Sequence, residues 1–190
     1  MRRHRTVQAA LGALAVVLAA AGVLLLAGGS TAQPSKSQQL FRKTLLDDAK
    51  TTSGIKRVLR DGGGFVAPEI EFADLTGDGR SDAVVLVDTG GTAGAVAVYV
   101  LSTHGKAADS TLRAVYRSQQ LYRASATVSG DALILRTPRY AEGDDLCCPA
   151  KVVERVYAWH DDARTLKQRS TQELPGPTGA TTAPPTTALG

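Results

Sequence analysis

The chain has 190 residues, 43% hydrophobic, 21% charged and 5% aromatic, which is enough for one domain and not for two large ones. Three of the basic residues behind its net charge of +4 are Arg2, Arg3 and Arg5, so the remainder is nearly neutral and lacks the basic footprint of a nucleic-acid binder. Its two cysteines are adjacent, which excludes a multi-disulfide scaffold.

The chain opens with three arginines and one histidine within six residues, and then runs from Ala9 to Gly29 without a charge. A positive start followed by an apolar run is an export signal, and the positive-inside rule sends the rest of the chain outward. Residues 1–32 are therefore expected to be a signal peptide or an N-terminal membrane anchor, because about 20 apolar residues can span a bilayer. Ser30-Thr31-Ala32 offers small residues of the kind a signal peptidase reads. Leu26-Ala27-Gly28-Gly29 has the shape of a lipoprotein signal, but Gly29 has no thiol to accept a lipid, so lipidation at that site is excluded. The chain is expected to be exported, either held at the extracytoplasmic face of the cell membrane by this helix or secreted.

Residues 33–173 are expected to form the globular domain. Ser35 and Gln38 are spaced as a capping box. Phe41, Leu45 and Ala49 then follow at helical spacing, with Leu40 and Leu46 beside them. The charges opposite (Arg42, Lys43, Asp47, Asp48, Lys50) read as a solvated face. Thr51 to Gly54 interrupts the helix, Ile55, Val58 and Leu59 add a short second turn, and Gly62-Gly63-Gly64 stops it.

Strand patterns follow at residues 65–73, 83–87, 95–101, 112–118, 121–128, 132–136 and 152–159, each short and rich in Val, Ile, Leu or Tyr. Their spacing is that of an antiparallel meander. The expected fold class is α+β: an N-terminal helix packed on one curved antiparallel β-meander of about six or seven strands. Residues 174–190 carry four of the eight prolines and no charge, and are expected to be a disordered Pro/Thr-rich tail.

Three constellations carry candidate chemistry. In Asp74-Leu75-Thr76-Gly77-Asp78-Gly79-Arg80-Ser81-Asp82, the oxygen donors Asp74, Thr76, Asp78 and Asp82 fall at positions 1, 3, 5 and 9 of a calcium-type loop, with Gly79 at the sharp turn. Position 12 is Val85, so the bidentate glutamate of an EF-hand is missing and any Ca²⁺ would bind weakly. The same aspartates also suit a hairpin turn in which they bond the backbone. Cys147-Cys148-Pro149 offers a vicinal disulfide, read either as a redox-sensitive switch or as a rigid turn before the strand that begins at Lys151. Intermolecular pairing is open as well, and a zinc site would need His104 or His160 in addition. Asp88-Thr89-Gly90-Gly91 after an apolar strand matches an aspartic-peptidase signature, which requires two such aspartates in a dimer, but it also suits a hairpin connection.

No Gly-x-Ser-x-Gly, Walker or His-Glu-x-x-His motif occurs, and asparagine is absent. The chain is expected not to be an enzyme.

The Asp74–Gly79 loop, the Asp88–Thr92 turn, Cys147-Cys148-Pro149, the terminal strand through Tyr157 and Trp159, and Leu26–Gly29 together resemble an actinobacterial class of exported proteins and lipoproteins. Within that class the chain resembles the streptomycete cell-envelope-stress lipoproteins, and it departs from them at Gly29. The resemblance implies a non-enzymatic envelope protein that tempers a signal system of sensor kinase, response regulator and extracytoplasmic sigma factor. The partners it implies are the membrane, through the N-terminal segment, and an envelope sensor kinase. The alternatives from the residues alone are an exported calcium- or ligand-binding module and, more remotely, an Asp-Thr-Gly peptidase.

Overall fold

The structure, a computed structural model, describes residues 34–104 and 111–177. The export segment at 1–32 and most of the expected tail lie outside the described residues. Among the described residues no helix is long and apolar enough to cross a membrane.

Helix α1 (Lys36–Asp47) starts where the capping box places it. The Gln38 N–H donates to Ser35 Oγ at 3.2 Å, and the Ser35 N–H donates to Gln38 Oε1 at 2.7 Å. Phe41 and Leu45 are buried, whereas Leu40 is 53% exposed and Ala49 lies beyond the cap at Asp48. The short second turn is a full helix, α2 (Ser53–Arg60), capped by Thr52, with Ile55 and Leu59 buried one turn apart. The interruption at Thr51 to Gly54 is thus the junction where one helix ends and the next is capped, and the domain carries two helices rather than one.

The expected single meander is two antiparallel sheets. The first contains β1 (Phe65–Val66), β2 (Glu71–Ala73), β3 (Asp82–Asp88), β4 (Ala95–His104) and β5 (Thr111–Gln119). Its order is β1-β3-β4-β5, with β2 also pairing β3. The second runs β6 (Ser125–Ser129), β7 (Ala132–Arg139), β8 (Lys151–His160) and β9 (Thr165–Pro175) in chain order. The expected strand at 65–73 is divided around Pro68, which has no N–H to donate. The register slips there, from Val66 opposite Val87 to Glu71 opposite Val84.

The expected strand at 121–128 begins only at Ser125. Gln120 (φ 63°) and Arg123 (φ 46°) are in the left-handed region, which an extended strand cannot accommodate, so the chain leaves the first sheet there. It stays bonded as it crosses, with Leu121, Arg123 and Ala124 N–H groups donating to Val96, Ala93 and Ala95 carbonyls. Strand β9 has no counterpart among the expected strands, because it is polar over most of its length. It pairs Leu174 with Val152 and Pro175 with Lys151, so the boundary expected at 174 falls inside a strand.

Residues alternate across a strand, and β3 and β4 use both faces. Ala83, Val85, Val87, Ala97, Tyr99 and Leu101 pack with Phe41, Leu45, Ile55 and Leu59 of the helices. Val84, Val98 and Val100 pack with Tyr116, Leu133, Leu135 and Leu166 toward the second sheet. The order is therefore helices, first sheet, second sheet. This explains why β3 and β4 read as continuous apolar runs: a strand covered on both faces has no polar side to alternate with. Tyr116 and Tyr157 meet between the sheets with ring centroids 5.0 Å apart.

Candidate functional site

Residues 74–81 form the hairpin loop between β2 and β3, closed by Ala73 opposite Asp82. Gly77 (φ 71°) and Gly79 (φ 79°) supply the left-handed turns. Asp74 accepts the N–H groups of Asp78 at 3.1 Å and Gly79 at 2.8 Å, and Asp78 accepts that of Arg80 at 2.9 Å. Asp82 is fully buried, and its Oδ2 accepts the Leu75 and Thr76 N–H groups, both at 2.9 Å. Its Oδ1 is buried without a hydrogen-bond partner, as is Thr76 Oγ1. Asp74, Thr76, Asp78 and Asp82 thus lie on one hairpin without converging on a common point. Among the described residues no three His, Cys, Asp or Glu side chains already form a metal cage.

Thr76, Gly77 and Asp78 also line an open cavity of about 780 Å³, whose other walls include His104, Arg113, Trp159 and Arg164. These residues come from the ends of β4, β5 and β8 and from the turn before β9. The Thr165 hydroxyl donates to the Val115 carbonyl at 2.6 Å, which ties the two sheets together beside the cavity. The Trp159 indole N–H donates to Asp161 at 2.8 Å. No sequence spacing connects these walls, because the sheets bring them together only after folding.

The β7–β8 connection holds the cysteine pair. The sulfurs of Cys147 and Cys148 are bonded to each other, so neither is available as a zinc thiolate. Cys147 is exposed and Pro149 buried. Asp144, which no sequence motif marks, accepts the N–H groups of both Ala141 and Ala150 at 2.7 Å through its Oδ2 and closes the base of the loop. The Tyr140 hydroxyl donates to the Leu146 carbonyl at 2.9 Å.

Asp88 ends β3, and its carboxylate accepts the Gly90 N–H at 2.7 Å. Thr89 and Gly94 close the same turn, with the Thr89 N–H and hydroxyl both donating to the Gly94 carbonyl. The Asp-Thr-Gly sequence here serves a β3–β4 hairpin.

The other buried acid among the described residues, Glu154, is fully engaged. Glu154 accepts Gln172 at 2.7 Å and pairs with Arg136 at 2.6 Å. The Gln172 hydrogen bond and the Arg136 guanidinium hold its carboxyl below the usual value. A carboxylate tied down in this way is a poor general base. Two members of the helix face read as solvated are also engaged: Arg42 donates to the Leu59 carbonyl, and Asp48 pairs with Arg117.

The chain is 27% identical over 157 residues to Lipoprotein CseA of Streptomyces avermitilis, a match covering 80% of this chain and 69% of that protein. No protein-family model matches the chain. No solved structure matches it either.

Proposed function

We propose that this chain is a non-enzymatic extracytoplasmic envelope protein that negatively modulates cell-envelope stress signalling through a sensor kinase and an extracytoplasmic sigma factor. The observation that carries this reading is the similarity to Lipoprotein CseA, which runs through most of both chains. The charge-free run from Ala9 to Gly29 behind three arginines supports export and a membrane-proximal position. The engaged state of Asp88 and Glu154 is consistent with action by contact rather than by catalysis. With Gly29 in place of a thiol, the apolar segment itself is the anchor on this reading, or the protein is released.

The test is a transcriptional reporter for the envelope-stress sigma factor in cells with and without the gene. Raised output in the deletion strain is the expected result. Unchanged output in both stressed and unstressed cells would end this reading.

A further inference from the structure

We propose that the hairpin loop from Asp74 to Asp82 is a weak calcium site whose unfilled donors are Asp82 Oδ1 and Thr76 Oγ1. This goes beyond the signalling role and does not depend on it.

Asp82 opens β3 at the base of this loop. Its side chain is fully buried at the mouth of the hairpin, and one oxygen reaches across to two N–H groups of the opposite arm. The carboxylate is therefore directed into the loop. Its other oxygen has no hydrogen-bond partner, and among the described residues it forms no ion pair. A buried carboxylate oxygen left bare is costly, and such groups are normally paired or bound to metal. Thr76 Oγ1, six residues earlier on the same loop, is a second buried oxygen without a partner.

The remaining donors fit the same occupant. Asp74 and Asp78 each accept backbone N–H groups, but each carboxylate oxygen carries two lone pairs, so one N–H does not exhaust it. The donor set is all oxygen, with neither imidazole nor thiolate in the loop, which selects a hard cation. Calcium tolerates irregular oxygen sets, whereas magnesium demands a near-ideal octahedron. The position where an EF-hand places its bidentate glutamate is Val85, fully buried in the helix-facing core. The carboxylates are not gathered beforehand, so binding must draw Asp74 and Asp78 inward. Both features place the affinity with the weak extracellular modules, at about 10⁻⁴–10⁻³ M.

The chain's single tryptophan provides the readout. Trp159 lines the same cavity as Thr76, Gly77 and Asp78, which makes it the donor for a lanthanide held in the loop. Full-length protein in detergent is titrated with Tb³⁺ under tryptophan excitation, and the bound ion is then competed with Ca²⁺ and with Mg²⁺. Sensitised emission should saturate and be displaced by Ca²⁺ but not by equal Mg²⁺. Ca²⁺ alone should raise the melting temperature. Asp78→Ala, at an exposed position, and Thr76→Val should each weaken apparent affinity about tenfold or more, since each removes a ligand. An absence of both sensitised emission and any Ca²⁺-induced melting shift, at concentrations tenfold above that range, would overturn the proposal and leave water on the bare oxygens. An unchanged titration in a Thr76→Val/Asp78→Ala double variant that melts like wild type would overturn it as well, by placing the ion elsewhere.

Discussion

Asp48 and Arg117 lie 69 residues apart and meet at 2.6 Å, joining the C-cap of α1 to the last third of β5. Both side chains are largely buried, at 15% and 19% exposed, so solvent screens the pair less than it would a surface contact. Burial pushes the Asp48 carboxyl up. The Arg117 hydrogen bond and charge, the Lys50 N–H and the Thr51 hydroxyl outweigh that and hold it below its ordinary value.

Arg117→Met should therefore cost about 1.5–3 kcal/mol at neutral pH, the range for a hydrogen bond to a charged group. The folded pKa of Asp48 is depressed, so its contribution is present above the unfolded carboxyl range and is lost as pH falls through the folded pKa. The stability gap between wild type and variant should be full above the unfolded carboxyl range, from about pH 5 upward, and narrow progressively as pH falls below about 4. A constant gap across that interval would show that the pair does not carry the difference.

Gln119 should matter more than its position at the end of a strand suggests. Its Oε1 accepts the Tyr99 hydroxyl at 3.1 Å and the Thr52 N–H at 2.8 Å, while its Nε2 donates to the Lys50 carbonyl at 3.1 Å. Gln119→Ala takes the acceptor from the buried Tyr99 hydroxyl and leaves the capping residue's N–H unpaired, for an expected loss of about 2–3 kcal/mol. Tyr99→Phe removes only one donor and should cost about 1 kcal/mol. Urea denaturation of the two variants gives the comparison, and equal losses would contradict this ranking.

The cysteine bond should contribute little to global stability. It joins neighbouring residues, so the loop it closes is the shortest the chain can make, worth about 1 kcal/mol or less in unfolded-state entropy. Asp144→Ala removes the acceptor for two backbone N–H groups and should cost about 1–3 kcal/mol. Thiol titration should show no free thiol before reduction and two after it. If reduction destabilises the fold more than Asp144→Ala does, the disulfide and not the carboxylate is the clamp.

Gly29 makes a chemical prediction about anchoring. Metabolic labelling with palmitate should leave the wild-type protein unlabelled at this site, since there is no sulfur to form the thioether. Gly29→Cys should introduce label and shift the protein to slower release from membranes. Label at residue 29 of the wild-type chain is chemically ruled out, so label found there would indicate an altered sequence.

What the sequence made legible was local. Ser35 and Gln38 announce α1 because a capping box is a contact between residues three apart. The four oxygen donors of the 74–82 loop are equally visible, because their spacing is itself the signal. The division into two sheets was hidden, because the chain leaves the first sheet at Gln120 and Arg123, where no glycine marks the left-handed backbone. Strand β9 was hidden because Lys167 to Glu173 are polar and exposed, and only pairing with β8 makes them a strand. The cavity beside the loop was hidden too, since Arg113 and Trp159 become neighbours only through the packing of β5 and β8. The bare oxygen of Asp82 is a property of the folded hairpin, invisible in any spacing.

The hidden strand has one further effect. β9 is the outer edge of its sheet, with a row of main-chain groups facing away from β8. Such a border is a template for polymerisation between copies. Along this border Lys167, Arg169 and Glu173 stand exposed, and a second copy laid against it would have to bring its own charges close to theirs. The composition that conceals β9 as a strand also lines that border with charged side chains, one of the ways sheet edges are guarded against edge-to-edge joining.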